Sequence, residues 1–184
     1  MMRFEEGWLA FVFDSEWRES VIKFDEHRDY KKVANSLTGT KGVDFLGILD
    51  SELCIIEVKD FRGYRIENKH RIANGDLLIE IGQKIRDTVA CIVGSSRSSS
   101  NFELWQRYCD LLLDREKKIS VILWLEEDKP PKRKDQVSQN VLRNKLKQKL
   151  KWLAVKVDVR NLGEVIPPRL HLQVASLPMS SSNH

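Results

Sequence analysis

The sequence predicts an α/β fold in which a mixed central β-sheet is flanked by helices, and three observations carry that expectation. Two short apolar runs, GVDFLGILD and SELCIIEVKD, lie back to back between Gly42 and Asp60 and read as adjoining strands. From Asp76 onward, Leu78, Ile81, Ile85, Val89 and Ile92 recur at steps of three and four, which is one face of a long helix. Further on, ISVILWLEE reads as a buried strand, and a second helical pattern and the strand AVKVDV follow it.

Taken in order, WLAFVFDSEW and SVIKFDE are rich in β-formers and predict two short strands over 8–14 and 20–25, paired as a hairpin. HRDYKKVANSLTG predicts a short helix closed by Gly39, a residue free to adopt a left-handed conformation. Strands over 43–49 and 53–59 come next. The long helix begins at Asp76 as N-cap, and the serine-rich GSSRSSSN predicts a flexible loop that ends it. FELWQRYCDLLLDRE predicts another helix, and KPPKRKDQ a proline-broken basic loop. Over 138–153, Leu142, Leu146, Leu150 and Leu153 form an apolar stripe with Arg143, Lys147 and Lys151 stacked beside it. Trp105, Trp124 and Trp152 all lie in apolar patterns and read as core. A chain of 184 residues can bury one sizeable core, so a single domain over 1–174 is expected, with a flexible tail over 175–184.

A hydrophobic fraction of 41% with 32% charged residues excludes a disordered chain, and no apolar run reaches the length of a bilayer. Glu5 and Glu6 interrupt the apolar N-terminus and no small-residue cleavage site follows, so a cytoplasmic protein with no membrane contact is expected. Cys54, Cys91 and Cys109 sit among apolar neighbours at spacings that suit neither zinc nor a disulfide framework, and read as reduced core residues. The net charge of +4 is unevenly spread. Between Lys129 and Lys156 stand ten Lys or Arg and one acid, Asp135, a bias that points to a polyanionic partner.

The chemistry concentrates at Asp44, Glu57 and Lys59. Acid-x-Lys triplets are common here, five in all, but only the one at Glu57 ends an apolar strand and follows, one strand earlier, an aspartate in Gly-Val-Asp-Phe. Period-two alternation puts Glu57 and Lys59 on one face of their strand and Cys54, Ile56 and Val58 on the other. If the turn is a two-residue loop at Asp50-Ser51, residue 49 pairs with 52 and Asp44 falls opposite Glu57. Two facing carboxylates repel, and a divalent cation relieves the conflict; oxygen ligands suit Mg²⁺. Lys59 would then stand beside the reacting phosphate, able to orient a water or steady negative charge. The plain alternative is a salt bridge on a half-exposed sheet face.

Asp44, Glu57 and Lys59, with the order strand, strand, helix, strand around them, resemble the PD-(D/E)xK nuclease superfamily over about 29–127. GVDFLGI followed by CIIEVKDFRG is similar to its nuclease-related (NERD) branch. The resemblance implies a restriction-endonuclease-like core and a Mg²⁺-dependent nuclease, with Mn²⁺ as a substitute, cutting phosphodiester bonds of DNA. It implies Asp44, Glu57 and the Val58 backbone carbonyl as metal ligands and Lys59 as the catalytic lysine. Val43 stands where the superfamily commonly has proline. The alternative function is a catalytically silent module of this fold that binds nucleic acid or a protein partner.

Three further residues are secondary candidates. Gln83 lies in the helix after the triplet, where several nuclease branches carry a Gln or Lys that contacts the site; Glu26 and His27 precede the first helix. For backbone contact with nucleic acid the candidates are Lys132, Arg133, Lys134, Arg143, Lys147 and Lys151, since cations that neutralise phosphates release condensed counterions. Cutting both strands of a duplex would favour a homodimer.

Overall fold

Asp50 and Ser51 both adopt left-handed backbone angles, φ 50° and 60°, the paired conformation that reverses a strand with the sheet's own twist. The computed structural model describes residues 1–18, 20–128 and 139–178. In chain order its elements are β1 (Met2–Glu6), β2 (Leu9–Phe13), β3 (Ile22–Lys23), α1 (Arg28–Ser36), β4 (Phe45–Leu49) and β5 (Glu52–Asp60). They continue with α2 (Arg65–Asn74), α3 (Asp76–Ser98), α4 (Phe102–Leu113), β6 (Ile119–Glu126), α5 (Gln139–Lys149), β7 (Lys156–Arg160) and β8 (Leu172–Ser176).

The chain is thus mixed α/β with two sheets. The larger has the order β3-β4-β5-β6-β7. Its first pairings, β3 with β4 and β4 with β5, are antiparallel, whereas β5-β6 and β6-β7 are parallel and joined through helices. Leu49 pairs with Glu52 across the Asp50-Ser51 turn, the register expected from a two-residue loop. The smaller sheet, β1-β2-β8, is antiparallel throughout.

Alternation along β5 divides the core in two. Leu53 and Ile55 pack under the helices with Ile81, Ile85, Trp105 and Leu146. Cys54, Ile56 and Val58 face the small sheet and pack with Phe11, Phe45 and Trp124. Gly47 in β4 has a packing reason: a Cβ there would stand 2.9 Å from the Trp17 ring, which is fully buried. The three cysteines are free and buried, as their apolar neighbours suggested.

Several elements depart from expectation. The hairpin expected from 8–14 and 20–25 does not form. Asp14 caps a single 3₁₀ turn over Ser15–Trp17, buried Trp17 redirects the chain, and β2 and β3 go to different sheets. The serine-rich segment is helical to Ser98: Ser95 and Ser96 are buried, so packing overrides the loop-like composition, and the Ser96 and Ser98 hydroxyls donate back to the carbonyls of Val93 and Gly94. Helix α2 was not foreseen; Gly75, at φ 88°, separates it from α3. Ala175 and Ser176, assigned to a flexible tail, pair with β2 as part of β8. Trp105 and Trp124 are fully buried as expected, but Trp152 is 54% exposed, because the helix stops at Lys149 and a 3₁₀ turn over Lys151–Leu153 swings its indole outward. No helix among the described residues is long and apolar enough to cross a membrane.

A clamp fastens the small sheet to the end of β5. Asp60 accepts the Trp8 N–H at 3.0 Å and pairs with Arg62 at 2.6 Å. The Arg62 guanidinium also donates to the Trp8 carbonyl and to the Ser176 hydroxyl. The turn between β1 and β2, and Glu6 just before it, are thereby held against the central sheet.

Replacing Gly47 with alanine should force the Trp17 ring to move and destabilise the fold by about 1–3 kcal/mol, the usual range for overpacking. Urea denaturation measures this; an unchanged midpoint would mean that the ring yields freely.

Candidate active site

Asp44 immediately precedes β4, and Glu57 and Lys59 lie near the end of β5, so the hairpin register sets the two acids across from each other one step past the last paired residues, Phe45 and Ile56. Both carboxylates are buried, Asp44 at 4% exposure and Glu57 at 1%. The loop leading to Asp44 is fixed from α3: Asp87 accepts the Lys41 N–H and Thr88 accepts the Val43 N–H. Asp44 itself uses Oδ2 to accept the Val58 N–H at 2.5 Å, while its backbone carbonyl accepts from Phe24. In an antiparallel ladder the N–H and C=O of one residue point the same way, so the Val58 carbonyl also lies on the β4 side, beyond the last ladder pair.

Two ammonium groups meet these acids. Lys59 Nζ is 2.9 Å from Glu57 Oε1 and 2.9 Å from Glu80 Oε1. Lys84 Nζ is 2.7 Å from Glu57 Oε1 and 3.7 Å from Asp44 Oδ1, so one α3 lysine touches both carboxylates. Arg71 from α2 holds the other oxygen of Glu80. Glu57 Oε2 is buried and has no hydrogen-bond partner among the described residues.

A further acidic group adjoins Asp44. Single carboxylate oxygens of Glu6, Asp25 and Asp44 lie within 4.8 Å of one another, and Asp25 Oδ1 is buried without a hydrogen-bond partner among the described residues. Lys23 balances one side of this group, 3.1 Å from Glu6 and 2.7 Å from Glu26.

Proton affinities follow from this crowding. Burial, followed by the negative charge of Glu57, pushes the Asp44 carboxyl up to about 7. Burial, then Asp44 and Glu6, push Asp25 up to about 6. Burial raises Glu57 as well, against the pull of Lys59 and Lys84. Burial works against the Lys59 charge, but Glu57 and Glu80 outweigh it and raise its pKa, so this lysine acts as a fixed cation.

The secondary candidates fare differently. Gln83 does not reach the carboxylates; its amide oxygen accepts from Lys41 at 3.4 Å, and its neighbour Lys84 turns inward instead. Glu26 is largely exposed and pairs with Lys23, while Asp25, one residue earlier, joins Asp44. His27 caps α1 by accepting the Asp29 N–H and stands edge-on to Trp105, a structural role. Lys132, Arg133 and Lys134 lie outside the described residues. Arg143, Lys147 and Lys151 flank the start of β7, at the opposite end of the parallel strands from Glu57 and Lys59.

Lys84, Asp25 and Glu6 were missed. For Lys84 the signal was present: Leu77, Ile81, Thr88, Cys91 and Ser95 are buried at helical spacing, and Lys84 is the charge interrupting that row. Glu6 and Asp25 arrive through tertiary packing and carried no local signal. No protein-family model matches the chain, and neither a curated protein nor a solved structure matches it.

The repulsion between Asp44 and Glu57 predicts opposite effects from two substitutions in metal-free protein. Glu57→Gln should lower the Asp44 pKa from about 7, and Lys84→Met should raise it. Carbon-detected NMR titration of the Asp44 carboxyl reads both; shifts of the same sign would contradict the arrangement. Because the folded pKa exceeds the unfolded value of about 3.9, the Asp44 contribution to stability is present in acid and is lost as pH rises towards about 7.

Proposed function

We propose that the protein is a divalent-metal-dependent nuclease with a restriction-endonuclease-like core, hydrolysing phosphodiester bonds of DNA. The observation that carries this reading is the burial of Asp44 and Glu57 on one side of the β4-β5 hairpin, against Lys59 and Lys84, with a Glu57 oxygen left unpartnered. An unsatisfied buried carboxylate oxygen is unfavourable, and in a site of this composition a cation is the natural partner. The order α1, β4, β5, α3 and β6, with β5 and β6 parallel, agrees with the core that the PD-(D/E)xK resemblance implies.

The donor set fits the metal. Carboxylate and carbonyl oxygens suit Mg²⁺, or Mn²⁺ in its place, and no softer ligand is among them. Asp44, Glu57 and the Val58 carbonyl would hold it, with Asp25 and Glu6 adding negative charge from the Asp44 side. When bound, such an ion acts as a Lewis acid that lowers the pKa of water and offsets phosphate charge. The remaining work belongs to the chain. Val58 N–H fixes the Asp44 carboxylate, and Glu80 and Arg71 hold Lys59 on the Glu57 side. Lys59 supplies a positive charge where a pentavalent phosphate gathers negative charge. Lys84 keeps the acid pair balanced in the metal-free chain.

A second reading, a module that binds nucleic acid without cutting it, draws on one observation: Lys59 and Lys84 already balance Glu57 without a cation.

Incubation with plasmid, linear DNA and RNA in Mg²⁺, Mn²⁺ or EDTA separates the two. The nuclease reading expects cleavage that EDTA abolishes. Asp44→Ala should weaken Mg²⁺ binding measured calorimetrically and reduce cleavage with it. Lys59→Ala should retain Mg²⁺ binding while turnover falls about 10²- to 10³-fold, the typical loss for one charge-stabilising donor. Wild-type turnover in folded Lys59→Ala would remove the triplet from the chemistry.

A further inference from the structure

At the other end of the parallel strands lies a cleft of about 710 Å³, formed by the turn between α4 and β6, by α5, by the 3₁₀ turn at Lys151 and by the start of β7. Its lining carries seven Lys or Arg and one acid, Glu116. Two of the cations are engaged: Arg143 pairs with Asp158 at 3.0 Å, and Lys118 lies 3.8 Å from Glu52. Arg115, Lys117, Lys147, Lys151 and Lys156 are exposed and have no ion-pair partner among the described residues. The sequence pattern of the basic helix pointed to Lys147 and Lys151; the fold brings Arg115, Lys117 and Lys156 to them from two other elements.

We propose that this cleft is a second nucleic-acid contact, which grips the phosphodiester backbone of a strand at a distance from the carboxylates. Five unpaired cations converging from four segments repel one another in the free protein, and a polyanion laid between them relieves that repulsion and releases its own counterions. A concave cleft admits a strand, whereas the plane of an anionic membrane meets only its rims.

The spacing gives the contact a length. Leu53 pairs with Ile119 at the cleft end and Lys59 with Leu125 at the carboxylate end, so six strand residues separate the levels, about 20 Å at roughly 3.3 Å each. At the stacked rise of about 3.4 Å per nucleotide, a strand that keeps duplex-like stacking needs about six nucleotides to touch both ends, and an extended strand fewer. The binding stands alone, but its use in catalysis rests on the nuclease reading.

The test measures fluorescence anisotropy of labelled single strands in EDTA, where cutting does not intervene. For a strand of about thirty nucleotides, Lys147→Glu/Lys156→Glu should weaken binding at least about tenfold at low salt. It should also flatten the slope of log affinity against log salt by about 1.4, two phosphate contacts at about 0.7 each. All these side chains are exposed, and unfolding midpoints check that the variants remain folded. Unchanged affinity and slope in the double variant would overturn the proposal, as would charge-dependent binding to phosphatidylserine vesicles with none to oligonucleotides. If binding behaves as expected but no cleavage occurs in Mg²⁺, the cleft stands and the nuclease reading falls. If cleavage occurs, the double variant should slow cutting of long strands and leave dinucleotides unaffected.

Discussion

The centre of this structure is a carboxylate pair that the fold buries although the charges repel. Removing one ionised carboxylate from water costs several kcal/mol even after relaxation, and a second beside it adds to the penalty. Asp44 and Glu57 are nevertheless almost inaccessible, and their neighbours serve to compensate them: the Val58 N–H on Asp44, Lys59 and Lys84 on Glu57, and Glu80 and Arg71 behind Lys59. The residual conflict appears as an Asp44 carboxyl pushed to about 7. A packed apolar hairpin at these positions would avoid the penalty altogether, so the polar arrangement is one that stability alone does not call for.

The part of the site carried by one hairpin was legible in the sequence. A two-residue turn and strict alternation fix which residues oppose each other, and both could be read from GVDFLGILDSELCIIEVKD without knowledge of the rest of the chain. The long helix was equally plain in its apolar repeat. What escaped is what depends on distant segments. The partners of β2 are β1 and β8, the latter some 160 residues away, and neither its own pattern nor its turn names them. Glu6 and Asp25 reach Asp44 only because the small sheet and β3 are docked where they are. Serines that look like a loop by composition extend a helix because Ser95 and Ser96 are packed inside.

Charge is distributed along the strand axis with opposite sign at the two ends. Acids gather where β5 leaves the sheet, and lysines and arginines gather where β6 and β7 enter it. Backbone phosphates are drawn to the second end, whereas at the first the cations Lys59 and Lys84 are already engaged by carboxylates. On the proposed function, recognition and chemistry would fall at different ends of the same strands, joined by the β5-β6-β7 ladder.

The clamp at Asp60 and Arg62 bears on how the protein matures during synthesis. Arg62 reaches Trp8 near the start of the chain and Ser176 near the end of the described residues, while Glu6 contributes to the acidic group beside Asp44. A ribosome releases the β4-β5 hairpin early, at about 5–20 residues per second, but β2 gains its second partner only after β8 has emerged. The acidic centre is therefore finished late, when the last strand seats the first hairpin, and a nascent chain carries the triplet for seconds before its surroundings are complete.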